Sequence, residues 1–513
     1  MKIKSIAVAC LALCASSAFA QLNPNTAATY TTYYMGGATA QLPGAAIVVP
    51  ANMFNPSTPV TWIYQGSASN PNPAGTVAFP SNPNPSTASN GNNVIAWYGV
   101  AAAATGVTGN LLVIYNQNAG SMTGLAQLLN TMGSAPTAFP ASWTKVLTVG
   151  QGSNLFTCQT VTPTGGVPTN TCYTNSNYVA ATYDAYTPMS LALSDVYAVE
   201  NAGVLTPGQN GFAALSSLTQ VTTGLEGFGI AVNPALYLAL QKAQGLVPET
   251  ATLPVLGGAV QPSVSRTDYA SLVSQLGNAN IQASDFVQDP NNTSDNTPIY
   301  IERRTNWSGT QSASDMFFLN AICNGGAGTF LAPLDLGPET GSAGPTLAVG
   351  GTLTYLTENA STGGVKNAMT WGNAAAVPQG SYAIGIVSLE NTPSQAAPTA
   401  TTGSWQFVKL DGVSPDWINN AGVYTYDSTH RASTISGAYK FAVEMNAYYK
   451  ASNVTATKDM DALIVAELSN SSLHNLTGVS YLDGLTNGSA NQAYQARYSH
   501  YGSNCAPMFN QYY

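Results

Sequence analysis

Ile299 to Ile322 reads IYIERRTNWSGTQSASDMFFLNAI, and this stretch narrows the fold of the 513-residue chain more than any other. A short apolar strand, Ile299 to Glu302, runs through an arginine pair and Trp-Ser-Gly-Thr into an amphipathic helix. Met316, Phe317, Leu319 and Ile322 form the helix's apolar face. A strand turning tightly into a helix is half of an α/β unit. The first turn of such a helix leaves backbone N–H groups unpaired at the positive end of its dipole, which favours a bound anion. Gly309 lets the backbone approach a ligand closely, Ser308 and Thr310 add hydroxyls, and Arg304 supplies a permanently charged fork. The chain has only 14 lysines and arginines, so two adjacent arginines before this turn are a concentration of charge. Residues 304 to 310 are therefore expected to form an anion cradle, with Trp307 packed at the mouth of a cleft.

The rest of the chain alternates in the same way. Ala46 to Val49, Val94 to Val100 and Leu111 to Ile114 are short apolar runs bounded by Gly, Pro or Asn and read as buried strands. Thr123 to Thr131 reads as a helix capped by Thr123. Asn233 to Gln244 opens with Asn-Pro, a cap and first-turn pair. Ser265 to Leu276 has Ser followed three residues later by Asp, which resembles a capping box. Alternation of strands and helices predicts an α/β protein with mainly parallel sheets, whose ligands bind beyond the carboxyl ends of the strands. Residues 66 to 93, 289 to 297 and 393 to 403 are loops by composition. The Asp289–Asp295 cluster lacks the ligand spacing and terminal Glu of a calcium loop and reads as a solvated turn.

The N-terminus reads as an export leader. Lys2 and Lys4 precede an apolar run, Ile6 to Leu13, too short to span a bilayer, and Ala18-Phe19-Ala20 offers a cleavage site before Gln21. No later stretch has the length of a membrane span, so residues 1 to 20 are expected to be removed and the remainder to be soluble, periplasmic or secreted. The formal charge of −9 includes the two leader lysines, so the mature chain carries −11. A chain that acidic, only 7% charged and without a basic run, is not expected to bind nucleic acid or an anionic membrane surface. Its length implies two lobes, and 45% apolar residues imply packed cores. Cys158, Cys172, Cys323 and Cys505 remain after cleavage and are expected to form disulfides; their three possible pairings stay open. With no C-x-x-C, and with His430, His474 and His500 off ligand spacing, neither metal nor cofactor is expected.

The R-x-N-W-S-G-T segment resembles the R-x-D-x-S-G-T turn of the phosphate-binding receptors of ABC transporters, in the wider type 2 periplasmic binding fold. Arg304, Asn306, Ser308, Gly309 and Thr310 stand at the matching places. Other pieces follow in order over residues 30 to 445. Gly36-Gly37-Ala38-Thr39-Ala40 is similar to the family's first binding turn. In Tyr115 to Leu129, Ser121 or Thr123 stands where a family Ser caps a helix. Ser190 to Asp195 resembles D-F-G-A-S-D, with Ser190 in place of the ligand-contacting Asp. Gly227 to Pro234 and Gly380 to Val387 look like the strands that cross between lobes, and Trp405 to Gly412 resembles the piece that follows them. The resemblance implies two lobes with mixed, mainly parallel sheets joined by crossing strands. Lobe 1 is residues 21–228 plus 382–513, and lobe 2 is 229–381. It also implies a phosphate or related oxyanion held by Arg304, Asn306, Ser308, Gly309, Thr310, Ala38, Thr39 and Ser121, with an ABC permease as partner of a monomeric receptor. Asn306 replaces a carboxylate that in the family accepts the proton of hydrogen phosphate; Asn also donates, so another oxyanion is admitted.

No catalytic constellation accompanies these motifs. Ser308 lies in W-S-G-T, not in G-x-S-x-G, and no P-loop or dinucleotide fingerprint occurs. Asp459 and Asp461, two apart on a helix, point away from each other. The expectation is a binding protein without enzymatic activity. The rival is a secreted or cell-surface structural protein that keeps the fold without a transport role, which the missing Asp side chains and long insertions would suit.

Overall fold

The computed structural model describes residues 30–38, 40–58, 60–64, 94–116, 120–134, 146–147, 156–161, 169–174, 183–184, 189–200, 213–274, 281–305, 307–320, 323, 347–348, 354–359, 361–451, 455–469, 479–480, 498–500, 503–506 and 508–510. The export leader, the loop at 66 to 93, Thr39 and Asn306 lie outside the described residues. The principal strands are β1 (Thr31–Gly37), β2 (Thr61–Tyr64), β3 (Val94–Val100), β4 (Asn110–Asn116), β5 (Phe156–Val161), β6 (Thr169–Thr174), β7 (Leu191–Ser194), β8 (Leu218–Val232), β9 (Ile299–Arg304), β10 (Leu347–Ala348), β11 (Thr354–Asn359), β12 (Tyr382–Ser388) and β13 (Ala442–Lys450). The helices that matter below are α1 (Leu42–Asn52), α2 (Ser121–Thr131), α3 (Pro234–Ala243), α4 (Arg266–Val273), α5 (Gly309–Ser314), α6 (Thr362–Ala368) and α7 (Thr455–Leu468).

The strands follow one hydrogen-bonded path, β10-β11-β9-β12-β8-β13-β7-β1-β4-β3-β2-β6-β5. The path is two sheets that share β8. Leu218 to Gly227 pair with β13, and Phe228 to Val232 pair with β12. The protein is thus a two-lobe α/β fold with mixed sheets. Pairing is parallel where β1 lies between β4 and β7 and where β9 lies between β11 and β12. It is antiparallel where β8 meets its neighbours and in the β3–β4 and β5–β6 hairpins.

Parallel strands are buried on both faces, and each sheet has a core on either side. Around β1 and β4, Tyr33, Met35, Trp97, Val113 and Leu193 pack with Val48, Val49 and Ile464 of α1 and α7. On the opposite face Met122, Leu125 and Leu129 of α2 meet Ala192 and Tyr448. In the second sheet Phe228, Ile230, Ile301 and Ile384 pack with Leu236 and Leu240 of α3, and Ala231, Ala383 and Phe407 pack with Val365 of α6.

Local signals explain most element ends. Asn233 Oδ1 accepts the Leu236 amide at 3.0 Å and starts α3, while Ser265 Oγ accepts the Asp268 amide at 3.0 Å and starts α4. Two readings differ: α2 begins at Ser121 behind Gly120, so Thr123 lies inside the helix and does not cap it, and Ala46 to Val49 is helical inside α1 rather than a strand. Pro43 sits in the first turn of that helix, and burial between the sheet and α7 outweighs the strand preference of Ile47, Val48 and Val49. Asp289 Oδ1 and Asp295 Oδ1 cap their own turns by accepting the amides of Asn291 and Thr297. Cys323 is bonded to Cys505 across 182 residues, and the backbones of Cys158 and Cys172 stand directly opposite each other in the β5–β6 hairpin. Among the described residues no helix is long and apolar enough to cross a membrane.

Candidate functional site

Arg304 ends β9 opposite Asn359 of β11 and is 3% exposed. Its Nε donates to the Asn359 carbonyl at 3.2 Å and its Nη1 to the Thr362 hydroxyl at 2.9 Å, which fixes the guanidinium plane. Nη2 points toward the start of α2, where a methyl group added to Gly120 would lie 3.6 Å away. Burial pulls the Arg304 pKa down to about 10, against the attraction of Asp195 and Glu390, so the group stays cationic at neutral pH. The neighbouring arginine is engaged differently, since Arg303 pairs with Glu358, its register partner across the β9–β11 ladder. The two arginines look alike in sequence, yet one is committed to an ion pair and the other to the turn.

Past Arg304 the chain drops Trp307 into the other lobe. Trp307 is 2% exposed among Met122, Leu125 and Leu128 of α2, and its carbonyl accepts the Met122 amide at 3.1 Å. It is therefore an anchor between lobes and not a side chain at a cleft mouth. This anchoring sets the start of α5 against the start of α2. A Cβ on Gly309 would stand 2.3 Å from Ser121 Oγ and 2.7 Å from Asp195 Cβ, so only glycine permits the contact. Ser308 precedes α5 without capping it, Thr310 is buried, and the helix continues as a π turn over Asp315–Leu319 before stopping at Asn320 in left-handed conformation. Ser121, the first residue of α2, is fully buried, and its Oγ accepts the Asp195 amide at 3.1 Å.

Arg304, Ser121, Ser308, Gly309 and Thr310 are thus brought together, beyond the carboxyl ends of β4 and β9, where α/β sheets bind ligands. Ala38 is placed differently. Its amide donates to the Leu193 carbonyl at 2.8 Å and its carbonyl accepts from the Tyr115 hydroxyl, so both backbone groups are engaged within the sheet. Gly37, at φ 126°, is demanded by packing, because a Cβ there would lie 2.0 Å from the Leu193 carbonyl oxygen. Thr39 and Asn306 fall outside the described residues.

Solved structures to which the chain is similar include proteins described as phosphate transport receptors. A putative phosphate ABC transporter substrate-binding protein from Clostridium perfringens, with bound phosphate, overlaps 57% of this chain and 80% of its own at 12% identity and a TM-score of 0.31. An ABC-type phosphate transport receptor from Vibrio cholerae overlaps 54% and 74% at 14% identity and a TM-score of 0.26. PstS from Borrelia burgdorferi overlaps 87% and 95% at 10% identity and a TM-score of 0.30. No protein-family model and no curated protein matches the sequence.

One residue at the centre of the site escapes the sequence reading. Asp195, immediately after β7, is 4% exposed and lies between the starts of α2 and α5. Burial and then Glu390 push its pKa up to about 7, opposed by the Ser121 hydroxyl and by Arg304. Its Oδ1 accepts no hydrogen bond. The family pattern directs attention to Ser190, but Ser190 is at the opposite end of β7, donating its amide to the Tyr34 carbonyl at 2.9 Å. The available signal was an Asp closing an apolar strand, at the end of the strand where ligands bind.

Proposed function

We propose that the chain is an exported solute-binding protein that captures phosphate or a related small oxyanion between its two lobes and performs no chemistry on it. The observation that carries this reading is the buried Arg304 guanidinium, held by Asn359 and Thr362 with Nη2 turned toward the start of α2, where the start of α5 also comes in. Such a group favours a multi-oxygen anion, and the helix starts add fixed partial charge. An ABC-type permease is the corresponding partner, and the periplasm or the cell exterior the corresponding place.

Isothermal titration of the mature protein against phosphate, sulfate and small organic phosphates tests the reading. Saturating ligand should raise the unfolding temperature, with about 2.7 kcal/mol of stabilisation at a hundredfold excess over Kd. Arg304→Ala should weaken binding by about a hundredfold, the order expected for losing charge-assisted hydrogen bonds inside a protein. Wild-type affinity in that variant would place the ligand elsewhere.

A second reading is favoured by one observation. Asp195, Glu226 and Glu390 crowd the same region, and Asp195 stands between the two helix starts where an anion would sit. In that reading the chain is a secreted or cell-surface structural protein that keeps the fold, its cradle occupied by its own carboxylate. Absence of binding across the whole oxyanion panel is its expected signature.

A further inference from the structure

Asp195 stands inside the contact between the two helix starts, and the folded chain leaves one of its oxygens without a donor. It follows β7 directly, is 4% exposed, and its amide donates to Ser121 Oγ at 3.1 Å. On its other side, a Cβ built on Gly309 would lie 2.7 Å from Asp195 Cβ and 2.8 Å from Oδ2. The same pair of turns meets Arg304. A Cβ on Gly120 would lie 3.6 Å from Arg304 Nη2 and 3.4 Å from Ser308 Cα. A cation and an acid thus flank one backbone contact, residues 120–121 against 308–309. Oδ1 of Asp195 is buried and receives no hydrogen bond. An ionised carboxylate buried without donors is unfavourable, whereas protonation turns the same group into a donor that needs an acceptor. A bound oxyanion provides that acceptor, and Arg304 provides the countercharge of the anion.

We propose that Asp195 is the specificity-determining residue of the cradle: as a neutral carboxyl it donates to the bound anion, so the site favours an oxyanion without a proton of its own, such as sulfate, over hydrogen phosphate. This inference rests on the oxyanion reading and narrows it. It inverts the role that the resemblance gives to a carboxylate, which accepts the proton of hydrogen phosphate. Arg304, the helix amides and a protonated acid all donate, and no carboxylate is left to accept a proton from the ligand. The groups that face Asp195 come from four strands. Glu390, after β12, and Glu226, on β8, add like charge, and Arg304 opposes them from the end of β9. Tyr115 of β4 approaches as a neutral hydroxyl that donates to the Ala38 carbonyl. Burial, then Glu390, pushes the Asp195 pKa up to about 7 before any anion is bound. An adjacent anion raises it further, since like charge disfavours ionisation. The sign follows: the protonated form binds, so affinity for an anion that does not titrate is complete below about pH 7 and falls by up to about tenfold per pH unit above it.

The test is titration calorimetry with sodium sulfate and with sodium phosphate at pH 6, 7 and 8. Sulfate stays fully ionised throughout, so any proton that moves belongs to the protein. Wild type should bind sulfate about tenfold more weakly at pH 8 than at pH 6, and at pH 8 it should take up about one proton per sulfate. The proton count is read from the heats in two buffers of different ionisation enthalpy. Asp195→Asn keeps an amide donor in place at every pH. Its sulfate affinity should change by less than about twofold over the range, without proton uptake. The proton count on wild type needs no variant, so a variant that does not fold leaves the test intact. Sulfate affinity that is flat with pH in wild type, or binding that releases protons, overturns the proposal. Phosphate binding at pH 6 without sulfate binding overturns it too, and leaves the receptor reading standing. Absence of binding by both anions at every pH overturns the receptor reading itself, and the role of Asp195 falls with it.

Discussion

Unfolding should require several kcal/mol less at pH 8 than at pH 5, the reverse of a protein held together by ionised carboxylates. Asp195, Glu200, Glu302 and Asp315 are each pushed up to about 7, in every case chiefly by burial. Local donors oppose the shift without cancelling it. Glu200 accepts the Asn504 amide and side chain at 2.8 and 2.9 Å, Glu302 accepts Asn359 Nδ2 at 2.8 Å, and Asp315 accepts Gln311 Nε2 at 3.0 Å. In the unfolded chain these groups ionise near pH 4. Between that value and about 7 the folded state binds more protons, so stability falls as pH rises through the window. Each group contributes up to about 1.4 kcal/mol per pH unit there. Urea titrations at pH 5, 6, 7 and 8 measure the slope directly. Stability that climbs over this range would mean that water reaches these carboxyls in the native state.

The Cys323–Cys505 bridge should be the largest single covalent contribution to stability. It closes a loop of 182 residues, for which chain-entropy arguments give about 5 kcal/mol. Both sulfurs pack against the apolar core built around Phe228, Ile384 and Phe441. The residue beside the bridge is also committed: Asn504 donates twice to the Glu200 carboxylate and accepts the Glu444 backbone amide at 2.8 Å, so the bridge holds in place the donors to one buried acid. Replacing both cysteines by serine should lower the urea midpoint steeply and push Glu200 toward its protonated form. A loss below about 1 kcal/mol would show that the C-terminal segment stays docked without the bond.

The fold was legible wherever one signal sufficed. Asn233 and Ser265 announced their helices, Val94 to Val100 and Leu111 to Ile114 announced their strands, and Ile299 to Thr310 announced the strand-turn-helix that carries Arg304. Reading failed where tertiary packing decided. Val48 and Val49 prefer strands in isolation but are helical because both the sheet and α7 cover them. Gly36 and Gly37 look like a binding turn and are instead the points where β1 is pressed against β4 and β7. Asp195 was passed over because the family pattern drew attention to Ser190 at the other end of the strand, and Glu226 because a lone acid has no sequence signature. Only the folded chain shows that residues separated by nearly two hundred positions, such as Asp195 and Glu390, stand within electrostatic reach.

The place of β13 carries one more consequence. It is inserted between β8 and β7, yet it comes last in sequence along the main path, with Ala442–Lys450 following β8 by about two hundred residues. While the chain emerges, Leu191–Ser194 and the strands before it lack the neighbour that joins them to β8. Contacts of such long sequence separation close slowly. The N-terminal strands, which pair among themselves within residues 31–194, are therefore joined to β8 only once Ala442–Lys450 is in place.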